Sequence, residues 1–89
     1  MNYKINRDSV KQYDMEQLIE AGLCNMLNKS GDAAFRVWCH ILTRTTIRTN
    51  ALPHMSQKSA EKGIEMLLEM NWIEIDETHT ISITPKGFH

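Results

Sequence analysis

The apolar positions of this chain change period along its length, and each change marks an element. Residues 1–12 hold no sustained period, and Tyr3 and Ile5 predict no more than an arm or a short edge strand. From Met15 the apolar positions Leu18, Ile19, Gly22, Leu23, Met26 and Leu27 recur at spacings of three and four, which predicts a helix over about 15–28. Asp14 with Gln17 three residues later is a capping-box pattern that opens it. Asn28-Lys29-Ser30-Gly31 stops it, since Gly31 is free to take a positive φ. Asp32 is the expected cap of a second helix over 33–43, whose stripe is Ala34, Phe35, Trp38, Ile41 and Leu42.

The stretch Thr43-Arg44-Thr45-Thr46-Ile47-Arg48-Thr49-Asn50 is β-branched and polar and continues a helix poorly. It predicts a short strand at 45–47, a stunted helix over 47–52, or both in succession, ended by Pro53. Ser56 then caps a helix over about 56–70 with Ala60, Ile64, Leu67 and Leu68 as its buried stripe. Asn71 stands where the chain must turn out of that helix, and asparagine tolerates the left-handed conformation. Beyond it Ile73 and Ile75 alternate with Glu74 and Asp76, and Ile81 and Ile83 with Thr80, Ser82 and Thr84. These are two half-buried strands joined near Glu77-Thr78-His79. The expected fold class is mainly α with a small β-hairpin (α+β). The expected organisation is an arm over 1–13 and one domain over 14–89, with an additional helix in 14–31 and a core in 33–87.

Composition narrows the function. Eighty-nine residues with 42% hydrophobic and 24% charged residues make one modest core. No apolar run approaches the roughly 18 residues of a membrane span, so a cytoplasmic protein without membrane partners is expected. Cys24 and Cys39 fall at apolar helical positions and read as buried free thiols. Neither shares ligand-like spacing with His40, His54, His79 or His89, so no metal is expected. Cys39 and His40 are adjacent on a helix and diverge by about 100°. With no paired nucleophile and base and no glycine-rich phosphate loop, neither an enzyme nor a cofactor is expected.

The net charge of −1 hides a segregation. Residues 36–62 carry five bases (Arg36, Arg44, Arg48, Lys58, Lys62) and one acid (Glu61), or +4. Residues 65–77 carry five acids (Glu65, Glu69, Glu74, Asp76, Glu77) and no base, or −5. An anionic partner is steered to the first segment.

Over residues 33–87 the chain resembles a winged helix-turn-helix domain, of the small bacterial, phage or plasmid regulator type. The resemblance is carried by Ser56, Ala60, Ile64 and Leu67 at the family's recognition-helix spacing, by Asn71 and the pair Trp72-Ile73 that opens the wing, and by the closing Ile83-Thr84-Pro85-Lys86-Gly87. Thr46 to His54, with Pro53 inside it, is short for the motif's other helix, and Asn71 stands in place of a common glycine.

The resemblance implies a transcriptional regulator that reads double-stranded DNA with the helix at 56–70. Its buried stripe turns Gln57, Lys58, Glu61 and Lys62 outward, with Ser59 at the edge. Gln57 suits adenine, Lys58 and Lys62 suit guanine or phosphate, and Ser56 opens a first turn with free N–H groups. Arg44 and Arg48, with Thr45, Thr46 and Thr49, are the expected backbone clamps, and Lys86 adds a contact beyond the wing. The competing explanation for the lysines is a solvated helix face, and for the arginines a connector kept soluble by charge. A homodimer is expected because one domain with about five cationic contacts binds weakly; the helix at 15–28 is its candidate surface. The acidic hairpin points instead to a protein partner, as in a phage-encoded inhibitor or an assembly or replication accessory protein.

Overall fold

The computed structural model of the protein describes residues 2–26 and 32–85. The elements run β1 (Asn2–Ile5), α1 (Arg7–Lys11), α2 (Met15–Met26), α3 (Ala33–Thr43), β2 (Thr46–Arg48), α4 (Gln57–Glu69), β3 (Ile73–Ile75) and β4 (Thr80–Ile83). The expected α+β class holds, with more β-structure than a hairpin: the four strands form one sheet in the order β2-β1-β4-β3.

The largest departure from the sequence reading is at the N-terminus. Asn2–Ile5 is neither an arm nor an edge strand but an interior strand, antiparallel to β2 and parallel to β4. Tyr3 pairs with Ile47 and Ile5 with Ile81, so Ile5 is buried among the isoleucines of two neighbours. A four-residue strand gives a period-2 signal too short to stand out. Its pairing is nonetheless worth more than its length implies, because both of its edges are bonded. Lys4 N–H donates to the His79 carbonyl (3.0 Å), Ile5 N–H to Thr45 (2.9 Å) and Asn6 N–H to Ile81 (2.8 Å).

The short helix α1 was not expected either. The Asn6 side chain caps it by accepting from Asp8 N–H (3.1 Å). The buried Ser9 hydroxyl seats it on the sheet, donating to the Asn6 carbonyl (2.6 Å) and accepting from Ile83 N–H (3.1 Å). Arg7 reaches the other way and donates to the carbonyls of Ile41 (3.1 Å) and Arg44 (2.9 Å), the open C-terminal end of α3.

Elsewhere the expected helices form. Asp14 caps α2 by accepting from Glu16 N–H (3.0 Å), and α3 spans the expected 33–43. The stop expected at Gly31 lies outside the described residues, as does Lys86. Asp32 makes no side-chain cap bond and instead pairs with Arg36 (2.9 Å). Trp38 is fully buried, its indole N–H donating to the Leu18 carbonyl (2.9 Å) and its ring meeting Trp72 edge-on at 5.2 Å. Between β2 and α4 the chain forms turns and no helix, with His54 at φ 61°. Of the strand and the stunted helix that the stretch predicts, only the strand is formed, one residue later than expected.

Three burial expectations are corrected. Leu68 is 39% exposed, because it stands one residue and so about 100° round the helix from the buried Leu67. Cys24 is exposed and Cys39 only half-buried, although both are free thiols. Thr49 is fully buried and is therefore not the surface clamp expected of it. Asn71 takes the expected left-handed backbone (φ 60°), and His79 does the same in the hairpin loop (φ 59°). No helix among the described residues is long and apolar enough to cross a membrane.

Candidate nucleic-acid interface

The predicted contact residues fall on three elements. On α4, Lys58, Lys62, Glu65 and Glu69 recur at spacings of four, three and four and are all exposed, opposite the buried Ala60, Gly63, Ile64 and Leu67. Lysines therefore occupy the N-terminal half of the outer face and glutamates the C-terminal half. This is the reverse of what the helix dipole favours: the first turn has no acid and the last turn no base. Helix stability does not account for the placement of these charges.

The other α4 candidates are engaged locally. The Ser56 hydroxyl accepts from Ser59 N–H (3.1 Å) and bonds the Ser59 hydroxyl (3.1 Å). The Gln57 amide donates to Glu61 (3.2 Å). All three residues are exposed, and such solvent-facing bonds exchange readily for a ligand's.

Arg44 and Arg48 part company. Arg44 is exposed where α3 ends, and its Nε–H donates to His40 Nδ1 (3.1 Å). That bond fixes the neutral imidazole with its proton on Nε2. Burial holds the His40 pKa below its ordinary value, with Arg44 and His54 adding to the depression. Arg48 lies on β2, where strand alternation points it with Thr46 to the outer face of the sheet, away from buried Ile47. Asn2 stands directly opposite Arg48, and Lys4 opposite Thr46.

These four residues line one side of a cleft of about 480 Å³ whose other side is the β3–β4 loop at 77–79. The cleft opens because that loop leaves the strand pairing just beyond Lys4 and Thr80. The Tyr3 and His79 rings meet with centroids 5.9 Å apart and planes tilted by 36°. Burial raises the Tyr3 pKa, with a smaller contribution from the negative charge of Glu61 on α4. The cleft therefore neighbours the lysine-bearing half of α4, although Lys58 and Lys62 lie outside its lining.

Lys4 and His79 are the residues that sequence reading missed here. The alternation Asn2-Tyr3-Lys4-Ile5 is the signal that could have placed Lys4 on the outer face. Nothing local announces that His79 meets Tyr3.

The hairpin acids Glu74, Asp76 and Glu77 are all exposed, but they are not equivalent. Asp76 turns into its own loop, accepting from Thr78 N–H (2.8 Å), the Thr78 hydroxyl (2.6 Å) and Thr80 N–H (3.0 Å). Glu77 lines the cleft with Arg48, and Glu74 stands on the outer face beside Ser82. No group of three metal-ligating side chains occurs among the described residues. Compared with known proteins, the chain matches no family model, and no curated protein or solved structure matches it significantly.

Proposed function

We propose that this protein is a winged helix-turn-helix regulator that binds double-stranded DNA, with α4 as its recognition helix and β3–β4 as its wing. The carrying observation is the charge order of α4, whose exposed lysines crowd the end where the dipole disfavours them and where the free backbone N–H groups collect. An anion docked there offsets both costs. The order α3, β2, α4, β3, β4 supports the fold reading, with turns where the motif's other helix would stand.

The working form is a homodimer. Met15, Ile19 and Leu23 leave an exposed apolar line on α2 at spacings of four, 37–44% exposed, while Met26 is in the core. Joining two copies there presents two α4 helices to successive half-sites.

Anisotropy titration of labelled genomic fragments at low salt tests this reading. Binding should weaken steeply with salt, with a slope of about −4 to −5 for each subunit if five cations meet phosphates. Replacing Lys58 and Lys62 by alanine should reduce it at least tenfold. Absence of binding at micromolar protein, or indifference to that double change, refutes the proposal.

A second reading has its own observation. Leu68 is exposed beside the unpaired edge of β3, with Glu74 and half-buried Ile75 next to it. A protein partner adding to that edge would use backbone bonds and cover Leu68. Capture of one host protein, lost on Leu68→Asp and retained on Lys58→Ala, would favour it.

A further inference from the structure

The cleft between β1–β2 and the β3–β4 loop shares Arg48 with the duplex reading but has further features that the α4 reading leaves unused. Lys4 and Arg48 stand diagonally on neighbouring antiparallel strands and on the same sheet face. Like charges so placed repel, and among the described residues neither side chain makes an ion pair. On the facing loop the exposed His79 ring is held by a left-handed backbone turn and meets Tyr3, whose side chain points to the sheet face opposite Lys4 and Arg48. Asn2 and Thr46 supply polar side chains on the same wall, and the cleft of about 480 Å³ is of the size that small ligand groups occupy. Two cations along one wall of an open groove, with neutral donors beside them and an exposed ring on the facing loop, match the chemistry of a single polynucleotide strand. Phosphates meet the cations and a base stacks on the ring.

We propose that this cleft binds a segment of single-stranded nucleic acid, one base on the outer face of His79 and the adjoining phosphates at Lys4 and Arg48. The site is distinct from α4 and stands whether or not α4 reads duplex DNA. Glu77 sets its limits: one carboxylate against the two cations Lys4 and Arg48 leaves a net charge of +1 among the three, so the strand is held weakly and only one or two phosphates are neutralised. Recognition is by shape and stacking, without a base-specific edge.

The test uses the full chain, isotope-labelled, titrated with the oligonucleotide d(T)8, which is too short and too uniform to form a duplex. Amide shifts at Asn2, Lys4, Thr78 and His79 are expected to saturate together. Arg48→Ala should weaken binding about fivefold, through loss of a phosphate contact. His79→Asn, which keeps a residue tolerant of the left-handed turn but removes the ring, should weaken it about tenfold. Both side chains are exposed, so retained spectral dispersion verifies the fold of each variant.

The Lys58→Ala, Lys62→Ala double variant should leave d(T)8 binding unchanged while losing duplex binding. Shifts confined to α4, no shift at the cleft, or full affinity in Arg48→Ala overturns the inference. Duplex binding without cleft shifts sinks this inference alone, and cleft binding without duplex binding sinks the α4 reading alone.

Discussion

Gly63 crosses α3 directly over Ala33: a Cβ built on Gly63 would stand 2.7 Å from the Ala33 carbonyl oxygen and 2.6 Å from the Val37 side chain. The backbone of α4 comes this close to the backbone of α3 and to Val37 only because this position has no side chain. Ala33 is in the first turn of α3, and its carbonyl cannot move without disturbing the helix.

Gly63→Ala is therefore expected to destabilise the domain by about 1–3 kcal/mol. The clash outweighs the gain of roughly 1 kcal/mol that alanine brings to a helix interior. Urea unfolding checks it; a neutral or stabilising change would show that the helices are free to part. The same measurement on Gly22→Ala should also show a loss. A Cβ there would stand 2.7 Å from Trp38, whose indole is held by its bond to Leu18.

Arg7 ties the N-terminal segment to α3 through the carbonyls of Ile41 and Arg44. Those are acceptors that the helix itself leaves open, at the negative end of its dipole. Arg7→Met keeps the stem and removes both bonds, for an expected loss of about 1–2 kcal/mol in urea unfolding. Arg7→Lys should recover only part, because an ammonium lacks the planar fork that serves two carbonyls at once. Equal stability of the methionine and wild-type forms would mean that water replaces the guanidinium without cost.

What could be read from the sequence was what repeats over several turns. The stripes of α2, α3 and α4, the Ser56 cap, the Asn71 turn and the alternation of β3 and β4 all carry their signal within one window. The four-residue β1 and five-residue α1 were missed because neither is long enough to show a period. Their placement is decided by partners far along the chain, Thr45 and Ile81 for the strand and Ile83 for Ser9.

The candidate site divides the same way. Lys58 and Lys62 followed from the helix face, and Arg48 with Thr46 from the strand. The cleft itself joins segments some 30 and 40 residues apart, so Lys4 and His79 acquire a joint setting only in the folded sheet. Asp76 adds a local detail that no period announces: it stays exposed, but its Oδ1 is spent inside its own loop.

Asp76 also yields a measurable prediction. Its carboxylate is held below its ordinary pKa, first by the Thr78 hydroxyl and then by Thr80 N–H; desolvation opposes them, and Thr78 N–H and the charge of His79 add smaller contributions. Because the folded-state value is depressed, the loop's contribution is complete above the unfolded value and is lost as pH falls through the folded one. Exchange protection of the Thr78 and Thr80 amides should hold at pH 5 and collapse well below pH 4. Asp76→Ala should remove it at all pH values and release His79 from its left-handed turn. Protection that survives in that variant would mean that the backbone bond from His79 N–H to the Asp76 carbonyl (3.1 Å) holds the loop unaided.

The pair His40 and Arg44 gives the domain a proton-linked element of the same sign. Burial is the main reason that the His40 pKa lies below its ordinary value, and Arg44 and His54 deepen the effect. The bond from Arg44 Nε–H requires an unprotonated His40 Nδ1, so protonation breaks it and places two cations in contact. A base with a depressed folded-state value stabilises the fold fully above its unfolded value, near 6.5, and loses that contribution as pH falls through the folded value.

Proton titration by NMR should therefore give His40 a midpoint below 6.5, and stability should decline from pH 7 towards pH 5. Arg44→Ala should raise the midpoint towards the ordinary value without restoring it, since burial remains. His40→Gln should flatten the pH dependence over the same interval. A His40 midpoint at or above 6.5 in the unaltered protein would mean that the ring is solvated and that its bond to Arg44 is not maintained in solution.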